Sequence, residues 1–413
     1  MTEHTTPTPD WLSAEADRLA LGVVASRRPE GGFGWLDDSY QLVADRPAET
    51  YITARMTHVA GLEVLRGNDG AANFLDHGVK ALDGPLRDTE FGGWFTSTGP
   101  EGRAEKRAYD HCFVVLAAAT ATVTEHPRGA KLLTQSLECL EKRFWDDGRG
   151  LLVDTWDREW QRCEDYRGAN ANMHGVEAML AAADATGDDV WQQRALRVAE
   201  TLVHEHARAA QWRLPEHFDG QAQLLPDYNR DNPAHPFRPY GATIGHWFEW
   251  SRLLLHLRHG LADPPGWLGE DARSLFDAAV REGWAVDGAP GFVYTVDADG
   301  APVVRARMHW VLCEAIAAAE VWRRREPSAE LDGWVATWWD YAREYLIDIE
   351  GGGWRHELGP DNTPAASTWS GKPDVYHAYQ AALMRLLPPA RSIAGAMRDD
   401  QSGTPAPDEP ATR

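Results

Sequence analysis

Six short glycine- and aromatic-rich segments recur along the 413-residue chain: Gly31-Gly-Phe-Gly-Trp35, Phe91-Gly-Gly-Trp-Phe95, Gly148-Arg-Gly-Leu-Leu152, Trp212-Arg-Leu-Pro-Glu-His-Phe218, Gly291-Phe-Val-Tyr294 and Gly351-Gly-Gly-Trp354. They are spaced near sixty residues apart, with one longer interval between the fourth and fifth. A fixed period of this size marks stacked supersecondary units. Between the segments lie runs with helical periodicity, among them Trp11 to Arg27, Thr53 to Leu65, Ala130 to Phe144, Val190 to Ala207 and Leu331 to Leu346. Each unit therefore holds two helices. Six pairs close into an inner and an outer ring, so the expected fold is all-α, an (α/α)6 barrel with short β segments at the glycine-aromatic corners.

Two regions depart from the repeat. The insertion Leu224 to Tyr240, LLPDYNRDNPAHPFRPY, is a long Pro-rich loop of the kind that carries function in a compact domain, and it is expected to fold over the barrel mouth. The end of the chain, rich in Pro, Ser and acid, lacks apolar surface to bury. The expected organisation is a flexible N-terminus over 1–10, one catalytic barrel over 11–390 and a disordered tail over 391–413.

A formal net charge of −22 argues against a nucleic-acid or anionic-membrane surface, which would need clustered Lys and Arg. No basic stretch followed by an apolar run opens the chain, and no segment has the length of a membrane span, so the expected location is the cytoplasm. Cys112, Cys139, Cys163 and Cys313 form no CxxC pair, which points to buried small apolar residues rather than disulfides or structural zinc. No GxGxxG or GxxxxGK[ST] pattern follows a strand, so no nucleotide cofactor is indicated.

The helices that follow the corners are the more apolar ones, as in Cys112 to Ala119, Val176 to Ala183, Trp247 to Leu257, Val311 to Val321 and Ala378 to Leu387, and are expected to form the inner ring. One histidine lies near the start of each: His58, His111, His174, His246, His309 and His377. Taken singly, each reads as a hydrogen-bonded core residue. In register, they place imidazoles around one mouth, at the positive ends of the helix dipoles. No HExxH or other metal motif is present, so no metal is expected, and Glu249, Glu357 and Asp374 read as carboxylates that orient neighbouring imidazoles.

The motifs Arg55-Met-Thr-His58, Ala108-Tyr-Asp-His111, Gly168-Ala-Asn-Ala-Asn-Met-His174, Arg238-Pro-Tyr-Gly-Ala-Thr-Ile-Gly-His246-Trp-Phe-Glu249 and Trp369-Ser-Gly-Lys-Pro-Asp-Val-Tyr-His377 resemble the N-acylglucosamine 2-epimerase superfamily, from about Trp11 to Leu387. Within it they look closest to the branch of D-mannose and sulfoquinovose isomerases. The resemblance implies that His246 and His377 are the catalytic acid/base pair, one opening the sugar ring and one transferring the proton. It also implies that Arg55, Tyr109, Asn170, His174, Arg238 and Glu249 contact sugar hydroxyls or orient a histidine, and that Trp310 walls the pocket. The implied partner is a monosaccharide, with no cofactor.

Histidine suits that chemistry on its own terms, because an ordinary pKa of roughly 6.5 lets one imidazole act as base while another acts as acid. An aldose–ketose isomerase acting on D-mannose, with D-lyxose as a side substrate, ranks first. A sugar 2-epimerase or a sulfoquinovose isomerase comes next; for the latter, Arg55, Arg238 and Lys372 are the cations that could clamp an anion. An (α/α)6 glycoside hydrolase would need a carboxylate pair drawn from Asp110, Glu249, Glu357 and Asp374. A helical-repeat glycan-binding scaffold leaves the histidine register unexplained.

Overall fold

The structure is a computed structural model that describes residues 6–402. Twelve of its helices alternate outer, inner around a ring: α1 (Pro9–Ala25) and α2 (Thr50–Leu65), α3 (Ala72–Leu82) and α4 (Ala108–Val123), α5 (Gly129–Cys139) and α6 (Ala169–Thr186), α7 (Val190–Ala199) and α8 (Ile244–Arg258), α9 (Trp267–Gly283) and α10 (His309–Arg325), α11 (Ala329–Tyr341) and α12 (Tyr376–Met384). The inner helices are buried nearly all round, whereas α3, α5, α7 and α9 bury one apolar stripe. That difference is what a two-ring architecture requires of its sequence. The long outer-helix periodicities of the sequence are explained by π-helical last turns, at Leu140–Phe144, Glu200–Ala207 and Ala342–Leu346.

The glycine-aromatic corners follow the outer helices. There the chain doubles back in short antiparallel pairings such as Arg27 with Phe33, Arg87 with Trp94, Trp284 with Phe292 and Ile347 with Trp354. Gly93 shows why glycine is needed: its φ is +72°, and a Cβ would sit 2.9 Å from His111 Nε2. The long corner connections lead to the N-termini of the inner helices and so gather at one end of the ring, the mouth. Short turns join inner to outer helices at the opposite end, the base.

Two expectations at the chain ends are corrected. Thr8 accepts from Trp11 N and caps α1, and Arg385 donates to Pro7 O, so the ordered chain begins before residue 10; residues 1–5 lie outside the described residues. Nor does the fold stop at 390: α13 (Ile393–Ser402) packs on α2, α4 and α6 with Ile393, Ala394, Ala396 and Met397 buried. The apolar positions of this segment are spaced for one helical face, which its polar composition conceals. Of the expected tail, residues 403–413 lie outside the described residues. Cys112 and Cys313 are buried as expected, but Cys139 is half-buried and Cys163 exposed. No described helix is long and apolar enough to cross a membrane.

Candidate active site

Depth along the inner helices decides which register residues reach the mouth. His309 is the first residue of α10, His377 the second of α12, His246 the third of α8 and His174 the sixth of α6, and all four line one cavity there. His58 is the ninth residue of α2, so a rise of about 1.5 Å per residue sinks it about 12 Å below the helix start, out of the cavity. His111 is turned outward: it donates from Nδ1 to Arg107 O at 2.7 Å and accepts from Trp94 N at 3.1 Å, pinning a corner to α4. The expected ring of six is thus four imidazoles, joined by His356 from the sixth corner connection, which stacks on His309 with ring centroids 3.8 Å apart.

His246 and His377 are held in the same way. His246 Nδ1 lies 2.8 and 3.0 Å from the two oxygens of Glu216, and His377 Nδ1 lies 2.8 Å from Glu314 Oε1. An ionised carboxylate only accepts, so each ring carries its proton on Nδ1 and keeps the Nε2 lone pair free. Both rings flank the indole of Trp310, at centroid distances of 5.2 and 5.7 Å. The indole lies against the backbone of α8, where a Cβ on Gly245 would come within 2.2 Å of it. Trp310, expected as a wall, is among the residues that line this cavity.

Beneath these imidazoles, the sixth residues of five inner helices form a floor: Arg55, Phe113, His174, Glu249 and Glu314. Arg55 donates to Asp374 Oδ2 at 3.0 Å and to Tyr109 Oη at 2.9 Å, and lies over the ring of Phe113. Burial pushes Asp374 up, but the charge of Arg55 and its hydrogen bond outweigh it and hold the carboxyl below its usual range. Burial lowers His174 to about 4 and His309 to about 4, and pushes His377 well below its ordinary value, with Arg55 adding to the effect on His377. These imidazoles are neutral at pH 7.

Glu249 is fully buried and no protein donor reaches either of its oxygens; burial, then the neighbouring Glu314, pushes its pKa well above the carboxylate range. Glu314 is also raised by burial, but it accepts from Arg252 Nε at 3.1 Å and Nη2 at 3.0 Å. Of the two acids, Glu249 is the one that keeps its proton, and a neutral carboxylic acid in the floor can donate a hydrogen bond. Two groups here bring three potential ligand atoms within 4.8 Å of one another, His174–Glu177–Glu249 and Glu249–Glu314–His377. Folding thus assembles a donor set that no sequence motif announced. Arg252 Nη2, 3.6 Å from Glu249 and 3.0 Å from Glu314, already supplies positive charge at this point.

The roof comes from the insertion and the last corner. Pro236, Phe237 and Pro239 line the cavity, and Phe237 meets Trp369 edge to face at 5.3 Å. Asn170, at the cavity edge, lies 3.4 Å from Phe237 O through its amide nitrogen. The insertion is tied down by His217, whose Nε2–H donates to Pro239 O at 2.7 Å, and by Arg238.

Arg238 corrects an expectation. Its guanidinium donates to Glu164, Asp154 and Tyr228 and lies 4.0 Å above the ring of Tyr166, in a neighbouring cleft rather than in the histidine cavity. With its donors committed to two acids, it anchors the roof and does not face a ligand in the cavity. Lys372 is likewise consumed by Asp348 at 2.7 Å and Gly352 O at 2.7 Å. Glu357 does not orient an imidazole; it accepts from Ser367, Thr368 and Trp369 and shapes the loop that carries Trp369. Asp374 serves Arg55 and the Tyr376 amide. Glu216 and Glu314 do the orienting instead. One lies within the fourth corner segment and the other is an isolated acid inside an apolar inner helix, which is the signal that would have found it.

The chain is 53% identical over 391 residues to a D-mannose isomerase of Thermobifida fusca, covering 94% of this chain and 96% of that protein. It is 47% identical over 392 residues to a D-mannose isomerase of Pseudomonas cannabina pv. alisalensis, covering 94% of each. A solved D-mannose isomerase superposes with a TM-score of 0.85 at 25% identity, over 92% of this chain and 99% of that one. A cellobiose 2-epimerase from Spirochaeta thermophila DSM 6192 shares the fold, with a TM-score of 0.78 at 20% identity over 95% and 97%. The family model of N-acylglucosamine 2-epimerase (GlcNAc 2-epimerase) matches residues 31–381, and the chain belongs to that family.

Proposed function

We propose that the chain is a cofactor-independent aldose–ketose isomerase that interconverts D-mannose and D-fructose, with D-lyxose and D-xylulose as a second pair. The observation that carries this reading is the matched pair His246–Glu216 and His377–Glu314, two imidazoles each held at Nδ1 by a carboxylate and flanking one indole. Two relatives that carry the name D-mannose isomerase at 53% and 47% identity support the choice of sugar.

One imidazole takes the proton of the anomeric hydroxyl and delivers it to the ring oxygen as the C1–O5 bond breaks, giving the open aldehyde. An Nε2 lone pair then removes the C2 proton; the C–H electrons form the C1=C2 bond and O1 becomes the enediolate oxygen. Return of a proton to C1 from that imidazolium, which exchanges with solvent, together with transfer of the O2 proton to O1, gives the ketose. Arg55 and the acid of Glu249 are fixed partners for the developing oxyanion, the kind of preorganised group that contributes most when charge develops.

A neutral sugar fits better than a sulfonated one. Of the three cations that could clamp an anion, Arg238 and Lys372 are committed elsewhere, and Arg55 is balanced by Asp374. For a hydrolase, Glu249 and Asp374 are the two expected carboxylates that line the cavity, and Asp374 is spent on Arg55.

NMR of the protein with D-mannose in D2O, following both product and label, tests the reading. Fructose bearing deuterium only at C1, and turnover abolished in His246→Ala and in His377→Ala with the fold intact, is the expected result. Glucose deuterated at C2 would make it a 2-epimerase, and full activity in either variant would overturn the histidine pair.

A further inference from the structure

Below the floor, the ninth residues of four inner helices, His58, Leu116, Glu177 and Arg252, line a second, enclosed cavity at the base of the ring. Thr120, Ala181, Leu253, His256 and Gln380 complete its walls, and residues 391–394, leading into α13, close it from below.

Its hydrogen-bonding chemistry follows from the partners of each wall residue. The Thr120 hydroxyl donates to Leu116 O at 3.1 Å, so its oxygen accepts from His58 Nδ1 at 2.6 Å. His256 Nδ1 donates to Ala390 O at 2.7 Å, and Gln380 Nε2 donates to Glu177 Oε1 at 3.4 Å. What remains are three acceptors: His58 Nε2, His256 Nε2 and Gln380 Oε1. All three are buried and no protein donor reaches them. Burial lowers each imidazole to about 4, so neither ring supplies a second N–H at neutral pH.

A guest that satisfies such a cavity must bring hydrogens or positive charge. Arg252 borders the space, and its charge opposes a cation. Among the described residues, both groups whose ligand atoms lie close enough to share an ion centre on Glu249, and neither includes His58 or His256. The space open to the centre of a water-sized sphere is about 20 Å³, against the roughly 10–15 Å³ that one water needs.

We propose that this cavity is a built site for an internal water, which donates to His58 Nε2 and His256 Nε2 with Gln380 Oε1 as the alternative acceptor, and that α13 is the plug that holds it in. The plug is fastened where it enters: Arg391 Nε and Ser392 Oγ both donate to the Asp184 carboxylate of α6, at 2.7 and 2.6 Å, and Arg398 Nη1 donates to Asp184 O at 3.1 Å. Glu177 faces both compartments. Its Oε1 accepts from Gln380 at the base, and its Oε2 accepts from Tyr376 and lies 3.5 Å from His174 Nδ1 in the floor. The water therefore completes a polar column from α13 to the cavity of the mouth.

A crystal structure of the full chain, at a resolution that orders solvent and with anomalous data, tests the site. A peak without anomalous signal within hydrogen-bonding distance of two of the three acceptors is expected. An empty cavity, an anomalous scatterer there, or imidazoles flipped so that Nε2 is the bonded nitrogen would overturn it. The plug is tested by diethylpyrocarbonate labelling read by peptide mass spectrometry. His256 should be inert in the full chain and react at least tenfold faster once residues 391–413 are removed. Should the shortened chain not fold, the double substitution R391A and S392A is read in the same way. Equal labelling with and without the plug would overturn its role.

Discussion

Glu216→Gln removes one charge and leaves the shape of the site unchanged, and its consequence can be worked from three distances. Glu216 Oε1 accepts from Thr243 N at 3.1 Å and lies 2.8 Å from His246 Nδ1, while Oε2 lies 3.0 Å from the same nitrogen. In the variant, the Thr243 amide selects the rotamer that presents the amide oxygen at the Oε1 position, so the new NH2 group stands at Oε2, facing Nδ1–H. The amide oxygen still accepts from Nδ1–H at the 2.8 Å position, but it is neutral, and the NH2 group now stands where the second carboxylate oxygen stood. The imidazolium that forms when Nε2 takes a proton from substrate therefore loses its charged partner. General base catalysis contributes typically about 10²–10⁴-fold, so kcat should fall by about that factor while KM changes little. Glu216→Asp, which keeps the charge, should recover part of the loss. A coupled fructose assay on D-mannose, with thermal melting to confirm folding, reads the result. A Glu216→Gln enzyme with kcat within threefold of the parent would refute the role given to the Glu216 charge.

Gly245→Ala places a methyl 2.2 Å from the Trp310 ring and must push the indole off the two imidazoles it separates. A loss of about 1–3 kcal/mol is expected in denaturant melts, with a raised KM, and an unchanged KM would remove Trp310 from the binding wall. Acid should destabilise the fold between about pH 6.5 and 4. Buried His58, His174, His256 and His309 each have folded values near 4, below the unfolded value, so the unfolded chain binds more protons in that window. Stability is then lost as pH falls, by about 1 kcal/mol per pH unit for each group. Burial raises Asp110 to about 7 and also raises Asp154, Glu249, Asp271, Glu314 and Glu320, which works in the opposite direction; burial likewise lowers His111, His356 and His377, so the buried histidines outnumber these acids. Melting points flat from pH 7 to 4.5 would contradict this. Dialysis against a chelator should leave turnover of D-mannose unchanged, since Arg252 supplies the charge between Glu249 and Glu314. A loss restored by one divalent metal would refute that reading.

The roof over the mouth was legible because the 224–240 insertion breaks a regular repeat, and Pro236, Phe237 and Pro239 do line the cavity. Arg238, in the same segment, was not: sequence proximity to a cavity residue says nothing about which side of the loop a side chain leaves from. Here Glu164 and Asp154, two carboxylate partners contributed by the third corner connection, draw it away. The corners were legible because a positive φ restricts residue choice, and so was the contrast between inner and outer helices, because burial on all sides removes the polar stripe.

Sequence alone determined the architecture, since a sixty-residue period and two classes of helix admit few closures other than a double ring. It also brought His246, His377, Arg55, Tyr109, Asn170, His174, Glu249 and Trp310 into view, and all of these line the one cavity. Tertiary structure alone decided depth and partnership. Near one start register, His58 lies three residues further along its helix than His174 and six further than His246, which sinks it by about one to two helical turns. Orientation of a ring depends on a carboxylate arriving from elsewhere, Glu216 on the corner before α8 and Glu314 on α10, 30 and 63 residues from the imidazoles they hold. Such pairings are set by the closure of the ring, which no local pattern encodes.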